Sequence, residues 1–346
     1  MRGVKTIARG ALVTALAVAL VLLVSGCVGD TPQSVNDPRA DNAQKIWDLF
    51  MPIFWLSVGV FVIVQGIVIV ALIRFRRRPD SPVPRAIHGN TKLEIAWTLA
   101  PALILAAIAV PTISTIADLA REPGPEALTV RVVGQQWWWA FEYPDSGVVT
   151  ADELHVPVGR PVHLELKSKD IIHSFWVPKL AGKQDVVPGR TNRITFTADT
   201  PGEYSGQCAE FCGAKHANMK FRVIVQTPEE FEAWLAQQQQ AAVEPEPGSI
   251  EAQGKEVFMS SGCVGCHTIK GTDAKGQLGP DLTHFGSRGL IAGGVLTNTP
   301  ENLKAWVHDA PSIKPGQPGR PLGMPAFTGL TDEQVNALVA YLESLK

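Results

Sequence analysis

The chain has 346 residues, 45% of them hydrophobic, and a formal net charge of −2. That length suits two modest globular domains with additions rather than one large core. The near-neutral balance, with no basic run outside one short loop, excludes a nucleic-acid footprint, and the apolar excess gathers near the N-terminus, which points to a membrane.

The first apolar block follows Arg2, Lys5 and Arg9 and runs ALVTALAVALVLLV before ending in LVSGC at Cys27. A basic start, a short apolar run and small residues before a cysteine predict a signal peptide over 1–26. Leu23 to Cys27 also resembles the bacterial lipoprotein cleavage box, which implies lipidation of Cys27. An exported segment over 27–49 leads to two longer runs, Phe50 to Ile73 and Ile95 to Ala117, with no charged side chain. Each is long enough to cross an apolar layer of ~30 Å at ~1.5 Å per residue, so transmembrane helices are expected over 50–73 and 95–117. The loop over 74–94 sets Arg74, Arg76, Arg77, Arg78, Arg85 and Lys92 against Asp80 in its RFRRRPDSPVPRAIHGNTK stretch. By the positive-inside rule the loop is cytoplasmic, and everything after Ala117 lies on the outer side of a bacterial cell membrane crossed more than once. Thr91 to Glu94, TKLE, has the capping-box form, with Glu94 tying down the start of the second helix.

From about Leu128 the pattern switches to period two. LTVRVVG, VHLELKS, RITFTA and MKFRVIVQ alternate apolar and polar side chains, with VPVGRP, VVPGR and DTPGEY as turns. This predicts a small Greek-key β-barrel or sandwich within 118–228. The polar stretch QQQQAAVEPEPGS reads as a spacer, and a linker is expected over 229–249. The remainder, 250–346, reads as all-α. IEAQGKEVFMSSG, ENLKAWVHDA and TDEQVNALVAYLESLK are helix candidates, the last with Val335, Leu338, Val339 and Leu342 on one stripe and Thr331 at its start.

CVGCH, Cys263 to His267, has the C-x-x-C-H form. Two thiols at this spacing can each bond one vinyl group of a haem, with the neighbouring imidazole of His267 as an axial ligand to the iron. A redox dithiol needs a βαβ setting and a zinc site needs a second ligand pair, and neither is present. Met324, between the prolines of PLGMPAF, is the leading candidate for the other axial position, with His284 and His308 as rivals. The domain resembles class I cytochrome c, including GPDL at Gly279 to Leu282.

The loop CAEFCGAKHANM, Cys208 to Met219, combines two cysteines, a histidine and a methionine. A disulfide needs neither His216 nor Met219, and a thioether is a poor zinc ligand and a good copper one. Soft sulfur with imidazole points to copper, and two thiolates leave room for more than one ion. A further imidazole is available upstream at His173, in IIHSFWVP.

HSFWVP followed by this loop resembles the binuclear copper (CuA) site in subunit II of the haem-copper cytochrome c oxidases. The paired helices, the basic loop, GQQWWW and DVVPGR extend the likeness along the chain. The resemblance implies a multidomain membrane protein: a two-helix transmembrane hairpin, a cupredoxin-like Greek-key β-barrel and a fused cytochrome c domain. It implies that Cys208 and Cys212 bridge both coppers, that His173 and Met219 complete one, and that His216 with the Glu210 carbonyl completes the other. It further implies magnesium beside the Glu210 carboxylate at the junction with subunit I, Trp137 as the point where electrons reach the coppers, and Glu94 at the mouth of a proton channel. Three adjacent Trp in a strand should also leave some on the wet face, with Trp139 the one expected to be buried. Neither spanning run contains a histidine, so O2 reduction, and with it the catalytic residues, is expected in another subunit. The implied role is electron input to a proton-pumping oxidase. The expected partners are subunits I and III, and a cytochrome bc complex or a cytochrome c as donor. Copper-delivery proteins, which resemble thioredoxin, lack the upstream His and the Met; quinol oxidase subunits lack the copper ligands.

Overall fold

The structure, a computed structural model of the chain, describes residues 18, 31–77, 79, 86, 88–316 and 323–346. Apart from residue 18, the signal peptide and lipidation expected up to Cys27 therefore lie outside the described residues, as do Arg78, Asp80 and Arg85 of the basic loop.

Two long helices lead, α1 (Asp41–Arg74) and α2 (Thr91–Leu119), with mean hydropathies of 2.8 and 2.1 over their most apolar windows. No residue of those windows is buried within the chain, as expected for helices whose partner is lipid or another subunit. The start of α2 differs in detail from the expected capping box. Asn90, not Thr91, is the N-cap: its side-chain oxygen accepts from the Lys92 and Leu93 amides. Asn is the stronger cap and sits one residue earlier, so Glu94 falls one position deeper, where its carboxylate accepts from the Asn90 amide at 3.2 Å.

The first turn of α1 is fastened to the β-domain. Asp41 exchanges hydrogen bonds with Thr197, its amide donating to the Thr197 carbonyl and its carboxylate accepting from the Thr197 amide. Asn42 donates to the Thr195 carbonyl and Ala43 to that of Leu180. The β-domain is thus held at one end of the helix pair.

Its ten strands form two sheets. The first has the order β3-β2-β1-β5-β8 and the second β4-β10-β9-β6-β7. β1 (Leu128–Gln135), β2 (Trp138–Tyr143), β3 (Val148–Ala151), β5 (Val162–Ser168) and β8 (Asn192–Phe196) face β4 (Glu153–Pro157), β6 (His173–Trp176), β7 (Gln184–Val186), β9 (Gly202–Cys208) and β10 (Lys220–Gln226). The period-two pattern sets the core: Val130, Val132, Leu164 and Leu166 from one sheet meet Phe175, Phe221, Val223 and Val225 from the other. β1 runs parallel to β5 and β4 parallel to β10, which are crossovers rather than hairpins.

The spacer expected over 229–249 requires correction. α3 (Pro228–Gln238) begins with a Thr227–Glu230 capping box, buries Phe231 and packs Trp234 and Leu235 on the β-core. Trp234 also stacks on His155, ring centroids 4.1 Å apart. Three large apolar residues at helical spacing outweigh the polar composition around them. The rest of the connector is tied to the next domain through Ala242 to the Lys270 carbonyl and Glu244 to Lys255.

The C-terminal domain is built on α4 (Ile250–Ser260), α5 (Pro300–Ile313) and α6 (Asp332–Ser344), with a two-strand ribbon, β11 (Leu290–Ile291) and β12 (Leu296–Thr297). Val335, Leu338, Val339 and Leu342 are all buried, and Thr331 caps α6 in a box with Gln334. α4 and α6 cross in direct contact at Gly254, where a Cβ would stand 1.9 Å from the Ala337 carbonyl oxygen. The domain docks on the β-domain. Gly289 N–H donates to the Glu153 carboxylate at 2.9 Å, Lys220 N–H to the Gly293 carbonyl at 2.9 Å, and the Lys314 ammonium to the Trp137 carbonyl at 2.6 Å.

Replacing Gly254 with Ala is expected to destabilise the C-terminal domain by ~1–3 kcal/mol, because backbone rather than a yielding side chain opposes the new methyl. Denaturant unfolding followed by helical circular dichroism should show an earlier transition for that domain, even though Ala is the better helix former.

Candidate functional site

The copper-type donors come together because three neighbouring strands end side by side. β9 pairs with β10 on one side and β6 on the other, with Phe175 opposite Cys208. His173 opens β6, Cys208 closes β9, and Met219 immediately precedes β10. The Cys208 amide donates to the Met219 carbonyl at 2.9 Å and that of Ala209 to Ser174 at 2.9 Å, so both ends of the loop are pinned to the sheet. Gly213 turns the loop at φ +105°, where a Cβ would press on the Trp137 ring at 3.2 Å.

Within that frame the Cys208 and Cys212 sulfurs stand 3.7 Å apart, both thiols free. This is far beyond the ~2.05 Å of a disulfide. Around them lie the Glu210 carbonyl oxygen, 3.2 Å from Cys208 Sγ; His216 Nδ1, 3.6 Å from Cys212 Sγ; Met219 Sδ, 3.8 Å from Cys212 Sγ; and His173 Nδ1, 4.0 Å from Cys208 Sγ. The ligand atoms of His173, Cys208 and Cys212 all fall within 4.8 Å of one another, and all three residues are buried.

The thiols titrate against each other. Cys208 is pushed down to about 3, chiefly by the hydrogen bond it shares with Cys212, with His173 assisting against the effect of burial. Cys212 is driven up by the same hydrogen bond and by burial. One buried anion is tolerated here and a second is not, unless positive charge enters between the sulfurs. Two soft thiolates, two imidazoles, a thioether and a carbonyl therefore fit copper.

Asp170 orients the upstream ligand. Its Oδ1 lies 2.8 Å from His173 Nε2, leaving Nδ1 toward the sulfurs, and its Oδ2 accepts from the Gln136 amide. Burial pulls the Asp170 carboxyl upward, but hydrogen bonds from His173, Gln136 and Ile171 hold it below the usual carboxylate range. Burial likewise opposes charge on His173, and Asp170 and Cys208 outweigh it and raise the imidazole.

A second centre lies across the seam. A cavity of about 520 Å³ is lined by Cys263, Cys266, His267 and Met324 together with Leu282, Phe285 and Trp306. The attachment cysteines begin in a short 3-10 turn, Cys263–Gly265, after left-handed Gly262. His267 Nδ1–H donates to the Pro280 carbonyl at 2.8 Å, which fixes the tautomer and leaves Nε2 as the lone-pair nitrogen. Burial lowers the His267 imidazole toward the neutral form that a metal ligand requires. Of the rivals to Met324, His284 is buried with Nε2 3.0 Å from the Gln240 carbonyl, and His308 is exposed. Neither lines the cavity. An apolar chamber with two thiols, one prepared imidazole and one thioether on its walls fits a covalently attached haem.

The wall nearest the copper loop belongs to the other domain: Gln136, Trp137, Trp138, Ala151, Asp152 and Lys215. This alters the expectation for the Trp cluster. Trp137 is only 4% exposed rather than facing water, and its carbonyl accepts from Lys314 of the C-terminal domain. Its indole N–H donates to the Cys212 carbonyl at 2.9 Å, and the Gln136 side-chain amide donates to the same oxygen at 2.8 Å. Lys215 lies over the Trp137 ring at 5.4 Å. Trp138 is half-buried, and Trp139 is fully enclosed among Phe175, Phe221 and His173. Glu210, in the thiol loop, and Glu94, at the start of α2, are both exposed.

Family models match along the chain: cytochrome c oxidase subunit II, transmembrane domain, over 32–115; its periplasmic domain over 147–227; and cytochrome c over 251–346. Cytochrome c oxidase subunit 2 of Alkalihalophilus pseudofirmus is 40% identical, across 94% of this chain and 95% of its own length. The chain belongs to the cytochrome c oxidase subunit II family. It carries a fused cytochrome c domain, and it is a membrane-anchored component of an oxidoreductase complex with a cupredoxin-like periplasmic domain. The Bacillus subtilis subunit 2 is 35% identical over 96% of this chain and 97% of its own length. Quinol oxidase subunit 2 of Bacillus cereus is 33% identical over 75% and 88%.

Residue spacing carried no indication of Asp152, Arg288 or Lys314, which meet only across the seam. Asp170, three residues before His173, had a local signal, since an acid near a ligand histidine commonly orients it. Replacing Asp170 with Asn is expected to weaken copper retention on the order of tenfold to a hundredfold, as loss of an orienting partner does at other metal sites. Competition against a chelator of known affinity measures this directly.

Proposed function

We propose that this chain is the electron-input subunit of a proton-pumping cytochrome c oxidase. Electrons from an external donor would pass by way of haem c and a binuclear copper centre to subunit I, where O2 becomes water. When bound, the two groups would supply one-electron redox chemistry. Cys263 and Cys266 would hold the haem covalently, and His267 and Met324 would supply the ligands to its iron. Cys208, Cys212, His173, His216, Met219 and the Glu210 carbonyl would together hold the two coppers.

The observation that carries this reading is the position of Trp137. Trp137 borders the haem-type cavity and its carbonyl accepts from Lys314 of the C-terminal domain, while its indole N–H is bonded to the residue that would supply a bridging sulfur. Trp137 would therefore act as an internal bridge between the centres, and the external donor would dock on the C-terminal domain. A quinol-oxidising role is the competing reading, since a quinol oxidase subunit is also similar. The full soft-donor set around Cys208 and Cys212 favours cytochrome oxidation instead.

Further parts of the proposal rest on the family. Glu210 would present its carboxylate to magnesium at the subunit I junction and Glu94 would stand at the proton-channel mouth. Cys27 would be lipidated after removal of a signal peptide, subunit III would join the complex, and both redox domains would lie outside the bacterial cell membrane. A cytochrome bc complex or a cytochrome c would act as donor.

After copper loading, electron paramagnetic resonance of the exported part is expected to show one unpaired electron shared over two copper nuclei; a mononuclear pattern would contradict the proposal. Trp137→Phe keeps an aromatic side chain but deletes the N–H and shortens the ring system, at roughly 1–3 kcal/mol of stability. Haem-to-copper transfer followed by rapid mixing should slow while both midpoint potentials stay in place, and unchanged transfer would remove Trp137 from the path.

A further inference from the structure

The seam holds ionisable side chains that neither the metal donors nor the haem attachment uses. Asp152, between β3 and β4, is 5% exposed and forms part of the cavity wall that also contains Cys263, Cys266 and His267. Its carboxylate accepts from the Trp139 amide at 2.9 Å and from the Gly293 amide across the domain boundary. Its backbone is left-handed, φ 60°, a conformation Asp accepts better than most residues and keeps here because both its hydrogen bonds hold it.

The charged groups around it come from both domains. Lys314 and Arg288 face it from the C-terminal domain. Lys314 donates to the Trp137 and Ala292 carbonyls, at 2.6 and 3.1 Å, and Arg288 to the Asp281 carbonyl. Glu153, the next residue, accepts from Gly289 N–H and feels Arg288 and Arg222. Lys215 borders the same cavity. Burial pushes the Asp152 carboxyl up to about 6 and the Lys314 ammonium down to about 8. An acid so placed is near its midpoint under ordinary conditions and is shielded from water's screening. One added unit of negative charge in the same cavity should then raise its proton affinity on the order of tenfold.

We propose that Asp152 binds a proton when an electron enters the adjoining haem cavity and releases it when the electron leaves for the copper loop. The inference rests on the haem reading under Proposed function. The one-electron donor reduces ferric iron to ferrous; a proton from the external water forms an O–H bond at the Asp152 carboxylate. When the copper site takes the electron, the iron returns to ferric, that O–H bond breaks and the proton goes back to water. The sign follows from electrostatics. Reduction makes the cavity more negative and favours the neutral acid, so the haem midpoint potential falls as pH rises through the Asp152 window and is level on either side.

Redox titration of the haem absorption in the detergent-purified full chain, from about pH 5 to about pH 9, tests this. The expected wild-type result is a sloping window starting near pH 6, no steeper than about 59 mV per pH unit, the equivalent of tenfold for one electron. Asp152→Asn keeps the size, the hydrogen bond to Trp139 and the tolerance of a left-handed backbone, and it should abolish the slope with haem still attached. Glu153→Gln should retain the slope, and Lys314→Met should move the window to higher pH by removing a cation. In redox-difference infrared spectra a protonated-carboxyl band should appear on reduction in the wild type and be missing in Asp152→Asn. A flat wild-type titration, or a slope that survives Asp152→Asn, overturns the proposal while leaving the electron path intact. Wild-type protein without thioether-linked haem overturns both.

Discussion

The hydrogen bond from the Trp137 indole to the Cys212 carbonyl, 2.9 Å long and buried, is the contact on which the rest of the arrangement depends. It joins the thiol loop of one domain to the wall of the other domain's cavity. Its geometry needs three things at once: the Gly213 turn that lets the ring approach, the pinned loop ends at Cys208 and Met219, and the Lys314 ammonium of the C-terminal domain holding the Trp137 carbonyl. A tryptophan is suited to this position because its large apolar face can close a chamber while its N–H still finds a buried acceptor.

Electrostatics set the character of both centres. At the copper-type loop, two thiols at 3.7 Å cannot both become anions without added positive charge, so the protein alone leaves the site under-neutralised. Asp170 shows how the imidazole is prepared for that charge: a carboxylate on the far nitrogen turns the near one inward. At the seam the balance is different. Acids from the β-domain and bases from the C-terminal domain are buried together, and burial moves Asp152 and Lys314 toward neutrality. Such groups add little net stability, but they are sensitive to charge placed beside them.

Much of the architecture was legible locally. The uncharged runs gave α1 and α2, the period-two stretches LTVRVVG, VHLELKS, RITFTA and MKFRVIVQ correspond to β1, β5, β8 and β10, and the stripe on α6 is buried as its spacing requires. Where the local reading slipped, a specific competitor prevailed. Asn90 displaced Thr91 because an Asn one residue earlier offers the better cap. The polar connector became partly α3, because Phe231, Trp234 and Leu235 found an apolar surface that composition alone does not reveal. Trp137, one of three Trp of which some were expected on the wet face, is buried, and its carbonyl is held by Lys314, a residue of the C-terminal domain that no local pattern could connect to it.

The sequence by itself determined the donor chemistry: thiols, imidazoles and thioethers are properties of residues, and the spacings C-x-x-C-H and C-x-x-x-C-x-x-x-H-x-x-M lie within single loops. Hydropathy and alternation likewise belong to short windows, so helix pair, β-domain and helical domain could be read directly. Tertiary structure alone decided how the two redox domains meet. Which face of Trp137 is covered, which carbonyl Lys314 reaches and which cavity Asp152 borders depend on strand order and docking between surfaces with no shared pattern in the chain. Those contacts are long-range, and no local periodicity encodes them.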